Sequence, residues 1–155
     1  MRPPPTPHAY ALQLLAMRAY STRDLARKLE RKGYAREEVE PLIARLTQSG
    51  LLDDVRFAEQ FARSRIVNDS ASPRRVVQLL LRYGIQRPTA EAAVARSIED
   101  EELDTAAAAE RVARKKAASL AGLEPAVARR RLYGYLARRG YDLDDIRAAV
   151  SAVLR

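Results

Sequence analysis

The sequence predicts an all-α fold built as three tandem three-helix repeats. Three observations lead there. Strand signals are absent: β-branched residues are sparse and no stretch sustains a period-2 alternation. Apolar residues instead recur at helical spacing along most of the chain. The sequence also repeats itself. "RKGY" at 31–34, "RYGI" at 82–85 and "RRGY" at 138–141 place three of only six glycines before a large apolar residue. A shift of 51 carries Leu25, Leu29, Gly33, Tyr34 and Ile43 onto Val76, Leu80, Gly84, Ile85 and Val94. A shift of 107 carries them onto Leu132, Leu136, Gly140, Tyr141 and Val150. Self-similarity at about 50 residues marks an array of supersecondary units. The units are assigned to 9–52, 53–100 and 101–155, after a flexible Pro-rich lead-in at 1–8.

The elements follow in order. "RPPPTP" at Arg2–Pro7 reads as extended, because four prolines do not fit inside a helix. Helices are expected at 9–20, 22–32 and 37–49, then 53–68, 73–83 and 88–99, then 101–121, 125–139 and 143–154. Ser21 with Asp24 resembles a capping box, with Asp in place of Glu or Gln. Ser72–Pro73 is an N-cap followed by Pro at the first helical position. Asp53 and Asp142 are expected to cap their helices, with Asp54, Asp144 and Asp145 on the positive ends of the dipoles. Pro41 is acceptable in the first turn of the third helix, where backbone N–H groups have no partner to lose. Each repeat glycine is expected at C′ of a second helix with positive φ, its apolar neighbour packing on Leu29, Leu80 or Leu136.

Composition narrows the function. The 155 residues are 47% hydrophobic and 31% charged, enough to bury a real core. Two Phe and no Trp make that core aliphatic. The lack of Cys excludes disulfides and thiolate metal sites and is compatible with a reducing cytoplasm. No apolar run approaches the roughly 20 residues of a membrane span, and no signal-peptide apolar core opens the chain. A net charge of +8 points to an anionic partner, although an Arg-rich composition accounts for part of it.

The basic residues recur with the repeat. Arg23, Arg74 and Arg130 share one column; Arg31, Arg82 and Arg138 share another. Both lie across the helical wheel from Leu25 and Leu29 and their equivalents. Arg27 and Lys28 add to the first copy, and Arg129, Arg131 and Arg139 to the third. Long, permanently charged donors on a rigid rod suit a phosphate-following surface. A solvated outer face, with Arg stems packed on neighbouring repeats, is the alternative. Catalytic patterns are missing. His8 is the single His, no phosphate loop or nucleophile motif appears, and the acidic pairs fit helix starts. No cofactor, no metal and no enzymatic activity are expected.

Four motifs carry a family resemblance. "SGLLDDVRFA" at 49–58 resembles the signature of the RecX regulators of the bacterial recombinase RecA. "STRDLARKLERKGY" at 21–34, "RRVVQLLLRYGI" at 74–85 and "LYGYLARRGYDLDDIRAAV" at 132–150 resemble that family's first, second and third repeats. Leu51 stands where the family usually has Tyr, keeping an apolar residue after the glycine. Ser72–Pro73 replaces a glycine-containing entry to the second repeat. The resemblance implies an elongated, curved, monomeric cytoplasmic protein that binds RecA and its filament on single-stranded DNA. It implies restraint of recombination, ATP hydrolysis and coprotease activity. It assigns no acting residues, so the eleven basic residues above remain the candidate surface. Two other functions fit the residues: a direct DNA-binding helical module, and a structural adaptor whose Arg columns join the repeats.

Overall fold

The computed structural model describes residues 3–154; Arg2 of the lead-in and residue 155 of the third unit lie outside it. Nine α-helices and no strand occur among the described residues. The first unit holds α1 (Pro7–Met17), α2 (Thr22–Lys32) and α3 (Arg36–Gln48). The second holds α4 (Asp54–Val67), α5 (Pro73–Arg82) and α6 (Arg87–Asp100). The third holds α7 (Thr105–Ala117), α8 (Pro125–Arg139) and α9 (Leu143–Val153), with a 3₁₀ turn at Ala118–Leu120.

Each unit owns a separate apolar core. Leu25, Leu29, Val39, Leu42, Leu46 and Leu52 are buried in the first. Phe57, Val76, Leu80, Ile85 and Val94 fill the second. Leu132, Leu136, Tyr141, Ile146 and Val150 fill the third. Extensive helix packing is confined to pairs within one unit, α4 on α6 and α7 on α9 above all. The accessible surface shows the consequence. It is 10172 Å², against roughly 7,800 Å² for a compact chain of this mass. An array that buries three small cores exposes more surface than one globule.

The repeat glycines behave as expected. Gly33, Gly84 and Gly140 have φ of 107°, 83° and 89°. The Tyr34, Ile85 and Tyr141 N–H groups donate to the Leu29, Leu80 and Leu136 carbonyls, closing three Schellman turns. In each turn the apolar residue joins the core that holds its leucine partner.

Several local expectations are corrected. The first helix starts at Pro7 rather than 9, because Pro is well placed at N1 and Thr6 accepts the Ala9 N–H. That helix ends at Met17, where Arg18 turns extended. Pro41 sits in the second turn of α3, not the first, so it removes one ladder hydrogen bond on an exposed face. Asp142 holds the N-cap position of α9 but accepts no backbone N–H; Asp144 and Asp145 supply the negative charge in its first turn. The Ser21–Asp24 box is half made: Ser21 accepts the Asp24 N–H, while the Asp24 carboxylate accepts from Arg18. Leu51 is 55% exposed, and Leu52 packs in its place, its N–H bonded to the Leu46 carbonyl beyond Gly50.

The units meet end to end. The Ser21 hydroxyl caps α2 by accepting the Asp24 N–H, then donates to the Tyr83 carbonyl at the end of α5, 2.7 Å away. Ser72 repeats this: it accepts the Arg75 N–H and donates to the Arg139 carbonyl at the end of α8. One hydroxyl thus satisfies an unpartnered donor of one helix and an unpartnered acceptor of the next. Both serines are buried. The second helices α8, α5 and α2 therefore form a head-to-tail column, each negative helix end meeting a positive one. The N1 position completes each seam differently. The Thr22 N–H donates to Asp54 of the next unit at 2.8 Å, whereas Pro73 has no N–H to satisfy. The Tyr141 hydroxyl adds a bond to the Ser70 carbonyl.

The glycines then differ in what surrounds them. A Cβ at Gly84 would meet Cδ and Cβ of Arg23 at 2.5 and 2.8 Å; one at Gly140 would meet Ser72 Oγ at 2.9 Å; one at Gly33 would meet nothing within 4 Å. Gly33→Ala is expected to lower stability by about 1 kcal/mol, the left-handed backbone penalty alone. Gly84→Ala and Gly140→Ala are expected to lower it further, because the seam must also open. Chemical denaturation of the three variants checks this ranking; equal losses would contradict it. Burial raises the Tyr141 pKa above its ordinary 10.0. The neutral hydroxyl is favoured in the folded state, so its stabilisation holds below the unfolded pKa and is lost as pH rises through the folded one. Stability is expected to fall above about pH 10, and Tyr141→Phe, which cannot ionise, should flatten that decline in pH-resolved thermal melts.

Candidate functional site

The candidate site is a surface of arginines, and the structure sorts them by partner. Arg36, Arg56, Arg63, Arg65, Arg87, Arg96, Arg114 and Arg147 each pair with a carboxylate. None of the eleven candidates enters an ion pair among the described residues, and every one is exposed. An exposed charged head without an ion-pair partner adds little to stability and remains available to an external anion.

The two Arg columns are not equivalent. Arg23 lies with its stem over Gly84, and the Arg74 Cβ lies 3.5 Å from the position a Cβ on Gly140 would take. These two aliphatic stems help close the seams while their charged heads stay in solvent. Arg130 is the counterpart in the third unit. Arg31 and Arg82 stand at the C-terminal ends of α2 and α5. Arg129 donates to the Leu154 carbonyl at 2.9 Å, tying α8 to the end of α9.

Where the second and third units meet, the surface deepens into two adjoining hollows. One, of about 390 Å³, is lined by Arg65, Arg75, Arg138, Arg139 and Tyr135. The other, of about 540 Å³, is lined by Arg111, Lys115, Lys116, Arg139 and Tyr135. Asp69 is the single acid in either lining, and Arg65 holds it at 2.7 Å. Tyr135 and Arg139 form the ridge between them. The Arg139 guanidinium donates to the Tyr135 hydroxyl, and Lys116 Nζ lies 5.3 Å from the ring centroid. Of the sequence candidates, only Arg138 and Arg139 reach this cleft. Arg65, Arg75, Arg111, Lys115 and Lys116 were missed, because they belong to no repeated column. The "RKK" run at 114–116 was the available signal. Arg23, Arg27, Lys28 and Arg31 stand on the first unit, away from the cleft.

No cluster of metal-ligating side chains exists among the described residues. No helix there is long and apolar enough to cross a membrane. The class is therefore a basic array of three-helix repeats whose candidate site is a charged surface rather than a pocket of reacting groups. Family profiles sharpen this. The first, second and third three-helix domains of RecX match residues 8–46, 53–94 and 102–150. The chain is 35% identical over 141 residues to a regulatory protein RecX of Pelodictyon phaeoclathratiforme, spanning 91% of this chain and 84% of that one. It is 37% identical over 142 residues to one of Halorhodospira halophila, spanning 92% and 84%. The crystal structure of RecX from Lactobacillus salivarius superposes with a TM-score of 0.79 at 18% identity, covering 95% of this chain and 94% of that one. The chain belongs to the RecX family.

Removing unpaired charge from the cleft should leave the fold intact. The double variant Arg111→Ala, Lys115→Ala is expected to melt within a few degrees of the parent, since exposed unpaired charges usually change stability by less than about 0.5 kcal/mol each. Removing Arg65, which holds Asp69, should cost slightly more. Differential scanning calorimetry separates the two cases.

Proposed function

We propose that this chain is a non-enzymatic, mainly negative regulator of RecA. It binds RecA and the RecA filament on single-stranded DNA and so restrains recombination, ATP hydrolysis and coprotease activity. It acts as a monomer in the bacterial cytoplasm. The observation that carries this reading is the sorting of the arginines. Nine arginines off the repeat columns pair with neighbouring acids, while those on the columns recur unit after unit with no ion-pair partner among the described residues. A rigid row of positive charge held at the spacing of the repeats suits a polymer that itself repeats. The name regulatory protein RecX borne by its relatives supports a regulatory role.

Direct DNA binding is a second reading, favoured by the basic cleft between the second and third units. A titration separates the two. The chain is mixed with single-stranded DNA, with RecA, and with preformed filament, each at low and at physiological salt. The first reading expects tighter binding to filament than to bare DNA. The second expects equal or tighter binding to bare DNA, with a steep salt dependence.

The arginine column that lays no stem against a seam glycine gives the cleanest mutational test. Changing Arg31, Arg82 and Arg138 together to Ala should leave the melting temperature nearly unchanged and weaken filament binding. Each lost phosphate contact should flatten the salt dependence by about one unit of slope. Unchanged affinity and unchanged inhibition of RecA ATP hydrolysis would remove this column from the site.

A further inference from the structure

Every unit ends its second helix in the same corner: a last carbonyl, a left-handed glycine and a large apolar residue. Two of the three corners are filled from within the chain. The Tyr83 carbonyl with Gly84 receives the first turn of α2, through Ser21 and the stem of Arg23. The Arg139 carbonyl with Gly140 receives the first turn of α5, through Ser72 and Arg74. The third corner, at the end of α2, is open. Among the described residues no hydrogen bond ends on the Lys32 carbonyl, Gly33 is exposed, and space lies beside it. The lead-in fills only its tyrosine half. The Tyr34 hydroxyl donates to the Pro5 carbonyl at 2.6 Å, as Tyr141 does to Ser70 in the filled corner.

We propose that this corner — the Lys32 carbonyl, Gly33 and Tyr34 — docks the N-terminal turn of a Ser- or Thr-capped helix on the protein partner. The inference rests on the reading of the chain as a RecA regulator and adds where one contact is made. The chemistry selects the occupant. The end of a helix presents unsatisfied carbonyls, which a phosphate, having no proton to donate, cannot satisfy and which the donors of a helix N-terminus can. A capping hydroxyl that accepts an N3 N–H keeps its own proton to donate, as Ser21 and Ser72 do. The two internal seams show the equivalent corners of the second and third units accepting such an element.

Gly33→Asn tests the corner. Asn tolerates the left-handed backbone, and its side chain enters space that is open in the free chain. An incoming helix end would collide with it. Binding to preformed filament is expected to weaken at least about tenfold, while the melting temperature falls by only a few degrees. Unchanged affinity would overturn the proposal. The variant keeps every arginine, so its failure and that of the charge reading are distinguishable. Loss of binding in the Arg31, Arg82, Arg138 variant but not in Gly33→Asn sinks the corner alone. Failure of the unmodified chain to bind filament sinks both. A second measurement stands if Gly33→Asn folds poorly. The chain has no cysteine, so Lys32→Cys carries a single benzophenone. Photolysis in the filament complex should join it to the first turn of a Ser- or Thr-capped RecA helix. Capture of DNA, of a second copy, of another RecA surface or of nothing would overturn the assignment.

Discussion

The architecture depends on a serine hydroxyl that accepts and donates at once, present at each of two seams. Separate cores give each unit its own stability but no reason to hold a fixed relation to the next. That relation comes from Ser21 and Ser72, each accepting from its own helix and donating to a neighbour's. The bond is short-range and directional, and it is buried, where an unmade partner would cost about 1–3 kcal/mol. The seam therefore fixes orientation with very little contact area. The basic columns inherit their spacing from the seams, where the Thr22–Asp54 and Tyr141–Ser70 bonds add to the serine contacts.

Much of this was legible in the sequence. Helix period, the repeat and the three glycine turns are local properties, set by residues within about one turn of one another, and they came out as expected. Asp54 shows where local reasoning stops. Its place at a helix start explains its charge, yet its carboxylate also accepts the Thr22 N–H, 32 residues earlier in the chain. Ser72–Pro73 likewise reads as an ordinary cap until the Arg139 carbonyl appears opposite. The candidate surface was partly visible for the same reason. Columns that recur with the repeat can be found by shifting the sequence. The cleft of Arg65, Arg75, Arg111, Lys115 and Lys116 is assembled by a seam, and no periodicity announces it.

The distribution of charge shows a division of labour within one residue type. Arg96 and Arg63 bind Glu59 and Glu101 and tie α4 to the end of α6. Arg18 lies over the Tyr20 ring, 3.7 Å from its centroid, and holds Asp24. These arginines belong to the fold. Arg31, Arg82, Arg130 and Arg138 have no such tasks. Arg23 does both, with its stem on Gly84 and its head in water. An Arg is suited to this double use because its apolar stem is long and its charge is permanent.

The helix α8 begins one turn earlier than its counterparts, so the residue aligned with Ser21 and Ser72 is Ala128, buried inside the helix. Its true cap is Glu124, whose carboxylate accepts the Ala126 and Val127 N–H groups and has no proton to give. This end of the column can accept nothing in the manner of the other two. A fourth unit added there would find no hydroxyl to anchor its last carbonyl. The two ends of the column are therefore unlike: the end of α2 leaves a carbonyl open to a hydroxyl, while the start of α8 presents a carboxylate already committed to its own helix.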